Sequence, residues 1–83
     1  MWIRSQDKKE LVNVIKVEIS GVVGDKDNKA EIWGQFASRG LFSINTVSLG
    51  RYSTVEEAIT EIDKIEKSII ENPSGVYHMS SNK

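Results

Sequence analysis

The stretch STVEEAITEIDKIEKSIIENPSG, residues 53–75, decides how the chain is read, because it holds one complete amphipathic helix with both of its ends. Ser53 and Thr54 are both good N-cap residues, since a side-chain oxygen there accepts an otherwise orphaned backbone N–H. Each has a glutamate three residues on, Glu56 and Glu57, so two overlapping capping boxes mark the start. Glu56, Glu57 and Glu61 crowd the early turns, where the helix dipole favours negative charge. Val55, Ala58, Ile59, Ile62, Ile65 and Ile69 recur at spacings of three and four and make one apolar stripe. Asn72-Pro73-Ser74-Gly75 ends the helix, because proline cannot continue it and biases Asn72 away from helical angles. Isoleucine is a middling helix former, so packing must hold this helix. Burying Val55, Ile59, Ile62, Ile65 and Ile69 is worth on the order of 10 kcal/mol before conformational entropy opposes it.

Upstream the pattern changes from a period near four to a period of two. Residues 11–23, LVNVIKVEISGVV, are dense in β-branched side chains and read as one strand. Within it Ile15, Val17 and Ile19 alternate with Lys16, Glu18 and Ser20, and Gly21 marks a late bend. Residues 2–5 make a short strand, followed by a polar turn at Asp7-Lys8-Lys9. Gly24-Asp25-Lys26-Asp27-Asn28-Lys29 is a loop. In residues 30–37, Ala30, Ile32, Gly34 and Phe36 share one face, and Glu31, Trp33 and Gln35 the other. Ser38-Arg39-Gly40 reads as a hairpin turn, and residues 41–49 as the returning strand. Leu41, Val47 and Leu49 lie on one face of that strand and Phe42 and Ile44 on the other, so it reads as covered on both sides at one end. Residues 75–79 make a last strand at the sheet edge beside the N-terminus, and residues 80–83 a frayed tail. The expected fold is α+β: a small antiparallel sheet of about four to five strands packed on one C-terminal amphipathic helix, with residues 1–79 as a single domain.

Eighty-three residues build a small core, and oligomerisation is a natural supplement to its stability. The chain has no cysteine, which removes disulfides, thiolate nucleophiles and cysteine metal ligands. That absence, with no signal-peptide pattern and no long apolar run, reads as a cytoplasmic protein without a membrane span. A net charge of −1 argues against a nucleic-acid binder. Residues 1–53 carry eight Lys/Arg against six Asp/Glu, whereas residues 54–83 carry three against six. The strand half is mildly basic and the helix half acidic.

Two strings in the chain also resemble a known pattern. The opening Met1-Trp2-Ile3-Arg4-Ser5-Gln6-Asp7-Lys8-Lys9 is similar to the start of a family of small uncharacterised proteins of Gram-positive bacteria and their phages. Members begin with an M-x-I-R-S-Q-D-like motif and carry a segment like Leu49-Gly50-Arg51-Tyr52-Ser53-Thr54 before a helix with Glu57-Ala58. The resemblance is loose over residues 24–43. It implies a prokaryotic or phage protein of sheet-plus-helix fold and transfers no catalytic residue. Small phage proteins of this kind often bind host factors, including defence components or their nucleotide signals.

Candidate chemistry is sparse. His78 is the lone histidine, and nothing marks a nucleophile elbow or an oxyanion hole beside it, so the chain reads as no enzyme with no cofactor or metal. The helix carboxylates Glu56, Glu57, Glu61, Asp63, Glu66 and Glu71 read as a solvated face interleaved with Lys64 and Lys67, with Asp63 and Lys67 spaced for an ion pair. The 24–28 loop lacks the spacing of a calcium loop. At Arg51-Tyr52-Ser53-Thr54 two readings compete. Free N–H groups at a helix start attract anions, with Arg51 just before them. Against this, Ser53 and Thr54 already cap those donors, and Tyr52 suits packing under the helix. Trp33 lies on the more polar strand face, where a large aromatic suits an interface, with Arg4 and Arg39 as possible frames. The leading expectation is a non-enzymatic, homo-oligomeric binding protein that acts by occupying a host macromolecule, as a phage accessory or anti-defence protein would. The alternative is an oligomer that sequesters a small anionic ligand, such as a nucleotide signal, between subunits.

Overall fold

The computed structural model describes residues 1–37 and 44–81, apart from the side chain of Ile44. Among the described residues six strands and one helix follow in order: β1 Trp2–Arg4, β2 Leu11–Asn13, β3 Lys16–Gly21, β4 Ala30–Ala37, β5 Ile44–Tyr52, α1 Val55–Glu71 and β6 Val76–His78. They form an α+β fold with two three-stranded sheets, ordered β2-β1-β6 and β3-β4-β5. The expected strand β6 pairs parallel to β1, with Ile3 opposite Tyr77. All other pairings are antiparallel. The expected turn at Ser38-Arg39-Gly40, and Leu41 and Phe42 of the returning strand, lie outside the described residues.

Residues 11–23 are not one strand, as their composition suggested, but two strands in different sheets. The handover is two residues long. The Val14 N–H donates to the Met1 carbonyl at 2.8 Å, and the Ile15 N–H donates to the Gln35 carbonyl of β4 at 2.8 Å. Successive amides thus serve successive sheets. Two sheets enclose a core that one short sheet cannot, and Val14 is buried at the joint. Gly34 makes room there, because a Cβ on it would lie 2.8 Å from Val14 Cγ1 and 3.1 Å from Leu49 Cδ1. Ile3, Ile32, Leu49, Ala58, Ile65 and Met79 fill the rest of the core.

The helix starts at one of the two expected caps. Thr54 is the N-cap, accepting the Glu57 N–H on its hydroxyl at 3.1 Å. Glu57 reaches back one residue past the cap and accepts the Ser53 N–H at 3.3 Å, so Thr54 and Glu57 clamp the start in a variant of the expected capping box. The buried row differs from the expected stripe. It runs through Ala58, Glu61 and Ile65, with Ile62 half-buried, while Val55, Ile59 and Ile69 are exposed. Ile59 lies at the edge of the stripe, and Val55 and Ile69 lie near the two ends of the helix. The close ion pair on this helix joins Lys67 to Glu71 at 3.9 Å, rather than Asp63 to Lys67. No helix of the described residues is long and apolar enough to cross a membrane.

Candidate interaction face

The β3-β4-β5 sheet turns one side to the helix and the other to solvent. Alternation along β4 assigns them as expected, with Ala30, Ile32 and Gly34 inward and Glu31, Trp33 and Gln35 on the other face, where Ser48 and Arg51 bond Glu31, which is only 7 % exposed. Cross-strand partners share a face, so Lys16, Glu18 and Ser20 of β3 and Thr46, Ser48 and Arg51 of β5 complete the outer surface. Trp33 sits at its centre on the middle strand, between Glu18 and Ser48. Its indole N–H donates to Ser20 Oγ at 3.0 Å, which holds the ring in one orientation while it stays half-exposed. Around it Gln35 Nε2 donates to Glu18 at 3.0 Å, and Ser48 Oγ donates to Glu31 at 2.6 Å. The face is a network of satisfied polar groups around one aromatic plate.

A β-bulge determines which β5 residues reach this face. Ile32 pairs with Gly50 and Trp33 with Ser48, so Leu49 is the inserted residue. Without the insertion, alternation from Val47 would send Arg51 into the core and Tyr52 to solvent. With it, Leu49 and Tyr52 are both buried and Arg51 emerges beside Glu31. Arg51 Nε donates to Glu31 Oε2 at 3.1 Å, and its Nη1 donates to Asp25 Oδ2 at 3.3 Å. The Glu31 carboxylate is the main cause of a raised Arg51 pKa. Asp25 is held below the usual carboxylate range by the Asp27 and Asn28 amides first, with Arg51 adding to them.

Beside Arg51 a polar cleft of about 400 Å³ is lined by Gln6, Asp7, Asn28, Ser48, Leu49, Gly50 and Arg51. The two strings that carry the family resemblance meet here. The Gln6 N–H donates to the Leu49 carbonyl at 2.7 Å, where the bulge presents it. Gln6 Oε1 accepts the Arg51 N–H at 3.0 Å, and its Nε2 donates to the carbonyls of Arg51 at 3.1 Å and Ser80 at 3.2 Å. Gly50 permits this approach, since a Cβ there would lie 3.0 Å from Gln6 Cβ. Asp7 closes the adjoining turn by accepting from Ser5 Oγ and the Lys9 N–H. Those two bonds, the hydroxyl first, hold its pKa down.

The expected anion site at residues 51–54 is put to structural use. Arg51 is turned to two carboxylates, and Tyr52 is buried with its hydroxyl donating to the Ser80 carbonyl at 3.0 Å. Ser53 and Thr54 belong to the capping box. Arg4 is likewise structural, its Nε donating to the Lys8 carbonyl at 2.8 Å, which supports Lys8 at φ 67°. Arg39 lies outside the described residues. His78 is exposed on β6.

Reasoning from the sequence missed Glu61, which was placed on the solvated face but is 2 % exposed. Its Oε2 accepts from Tyr77 Oη at 2.8 Å and from the Ser80 N–H at 2.7 Å. Ser80, expected to fray, is therefore pinned by Glu61, Tyr52 and Gln6. Burial raises the pKa of both tyrosines, with the Glu61 charge adding to it, and Tyr77 is pushed up to about 12. The signal available in the sequence was position, since Glu61 follows Ala58 by three residues and precedes Ile65 by four, which puts all three on one side of the helix. Among the described residues no group of three or more His, Cys, Asp or Glu is placed to hold a metal ion. A scan against protein-family models, a search of curated proteins and a search of solved structures each found no match for the chain.

Proposed function

We propose that this chain is a non-enzymatic binding protein that acts by occupying a macromolecular partner with the outer face of its β3-β4-β5 sheet. The observation that carries this reading is Trp33, half-exposed at the centre of that face and oriented by Ser20. A fixed aromatic surrounded by satisfied polar groups loses little entropy on docking and leaves no orphaned donor when water is excluded. The face carries Lys16 and Arg51 against Glu18, Glu31 and Asp25, which favours a protein surface over a polyanion. The adjoining cleft at Gln6 and Arg51 is large enough to take one side chain of the partner. The resemblance to small phage proteins supports a bacterial host factor, including a defence component, as that partner.

The alternative of a sequestered nucleotide signal draws less support, because Arg51 is shared between two carboxylates and Asp7 adds a third to the cleft. The experiment is affinity capture from a bacterial host lysate, followed by calorimetric titration of the identified partner. Trp33→Ala should weaken binding by roughly tenfold or more, as for a central aromatic anchor. A variant that melts like the parent and binds with unchanged affinity rejects the face.

A further inference from the structure

We infer that the free edge of β3 pairs antiparallel with β3 of a second copy of this chain, joining two three-stranded sheets into one of six strands. This pairing does not rest on the Trp33 reading, because it uses the backbone edge of β3 and the charges of Lys16 and Glu18 at the rim of the outer face, not the indole. The other edge of this sheet, β5, is covered where Gln6 bonds the backbone at Leu49 and Arg51. β3 lies at the opposite edge and pairs with β4 alone among the described residues. Its pairing with β4 is free of bulges, and its sequence Lys16–Gly21 holds no proline. Of the devices that protect an edge, proline and a bulge are missing, and the charged pair that is present, Lys16 and Glu18, is of opposite sign and so can be matched by a second copy.

Apolar surface borders the same edge. Glu61 reaches Ser80, which also holds Tyr52 of β5, so that flank of the helix faces the β5 side. Val55 and Ile59 occupy the opposite flank of the buried row, on the side of β3, and are 44 % and 48 % exposed, while Ile69, near the helix end, is 45 % exposed. Ile15, just before β3, is 65 % exposed. A two-fold axis perpendicular to the sheet at Val17 sets both helices on one side of the joined sheet, with these flanks turned toward each other.

Charge selects the register. With Val17 opposite Val17 of the second copy, Lys16 lies opposite Glu18 of the second copy and Glu18 opposite its Lys16. Within one chain Lys16 and Glu18 are already 3.8 Å apart, so the pairing closes a four-charge ring of alternating sign. Ile15 then lies opposite Ile19 of the second copy on the inner side. Sliding the copies by one pair along sets Glu18 against Glu18, which is destabilising in a sheet.

Sedimentation equilibrium on the full chain tests this, with an expected mass of twice 9.3 kDa. Glu18→Lys should weaken association roughly tenfold, and Lys16→Glu/Glu18→Lys should restore it. Ile15→Lys should also shift the chain toward monomer, whereas Trp33→Ala should leave the dimer intact. The chain has no cysteine, so Val17→Cys should give an oxidised dimer and Ser20→Cys should not. Thermal unfolding shows that each variant is folded. A monomeric parent at millimolar concentration overturns the inference. So does a dimer that Glu18→Lys and Ile15→Lys leave unchanged, or one that Trp33→Ala alone dissolves.

Discussion

The hydroxyl of Tyr77 donates to Glu61 Oε2 at 2.8 Å, joining the last strand to the middle of the helix inside the core. The same oxygen accepts the Ser80 N–H at 2.7 Å, so one buried carboxylate ties three parts of the chain together. Glu61→Ala leaves both donors without that acceptor. Hydrogen bonds to a charged group contribute about 1.5–3 kcal/mol each, so a loss of roughly 3 kcal/mol is expected. Urea unfolding of the variant measures it. Glu61→Gln keeps an acceptor oxygen and should lose less. Equal losses for the two variants would show that charge, rather than the hydrogen bonds, matters at this position.

Alkaline pH acts on the same cluster. Tyr77 has its folded pKa pushed up to about 12 from 10.0, chiefly by burial, so the fold retains a proton that the unfolded chain releases. Its contribution is complete below pH 10, falls as pH rises and is gone above about 12. In Tyr77→Phe this titration is absent. The stability gap between parent and variant should therefore shrink as pH climbs through that window, as read by denaturant titrations at successive pH values. A gap that stays constant would contradict the assignment.

The helix start and the faces of β4 were legible because each rests on local chemistry: a capping hydroxyl at Thr54, and strict alternation from Ala30 to Gln35. Features that need a second segment were hidden. Nothing local in Leu49 announces a bulge, since the insertion is held by the Gln6 amide more than forty residues earlier. Glu61 reads as solvated until Tyr77 and Ser80 are folded against it. The break at Val14 was masked by the β-branched run on both sides of it. The place of Trp33 on the polar face was visible from the alternation, while the Glu31 and Asp25 partners of Arg51 depended on the bulge.

Close packing at the joint of the two sheets predicts a specific rescue. Gly34→Ala places a methyl 2.8 Å from Val14 Cγ1 and 3.1 Å from Leu49 Cδ1, closer than the core allows. Overpacking of this kind costs about 1–3 kcal/mol. Val14→Ala removes the nearer obstacle and on its own opens a small cavity. In the double variant the new methyl occupies part of that cavity, so the combined loss should be smaller than the two single losses added. A double-mutant cycle on chemical unfolding reads the coupling, and strict additivity would place the two side chains out of contact.

Gln6 gives the last expectation. Its side chain accepts the Arg51 N–H and donates to the Arg51 and Ser80 carbonyls, holding the bulged strand and the C-terminal segment to the N-terminal hairpin. In Gln6→Ala the backbone bond from its N–H to the Leu49 carbonyl remains, so the sheet stays in place while its edge loosens. Amide hydrogen exchange should accelerate at Arg51 by about tenfold, corresponding to roughly 1.4 kcal/mol of lost local protection. Exchange at Ile32, deep in the central strand, should change far less, because global unfolding governs it. Arg51 should also shift relative to Glu31, since the strand that presents it is no longer anchored on both sides. If Arg51 exchange is unchanged, another group holds the bulge, and the meeting of the two motif segments is contact without consequence.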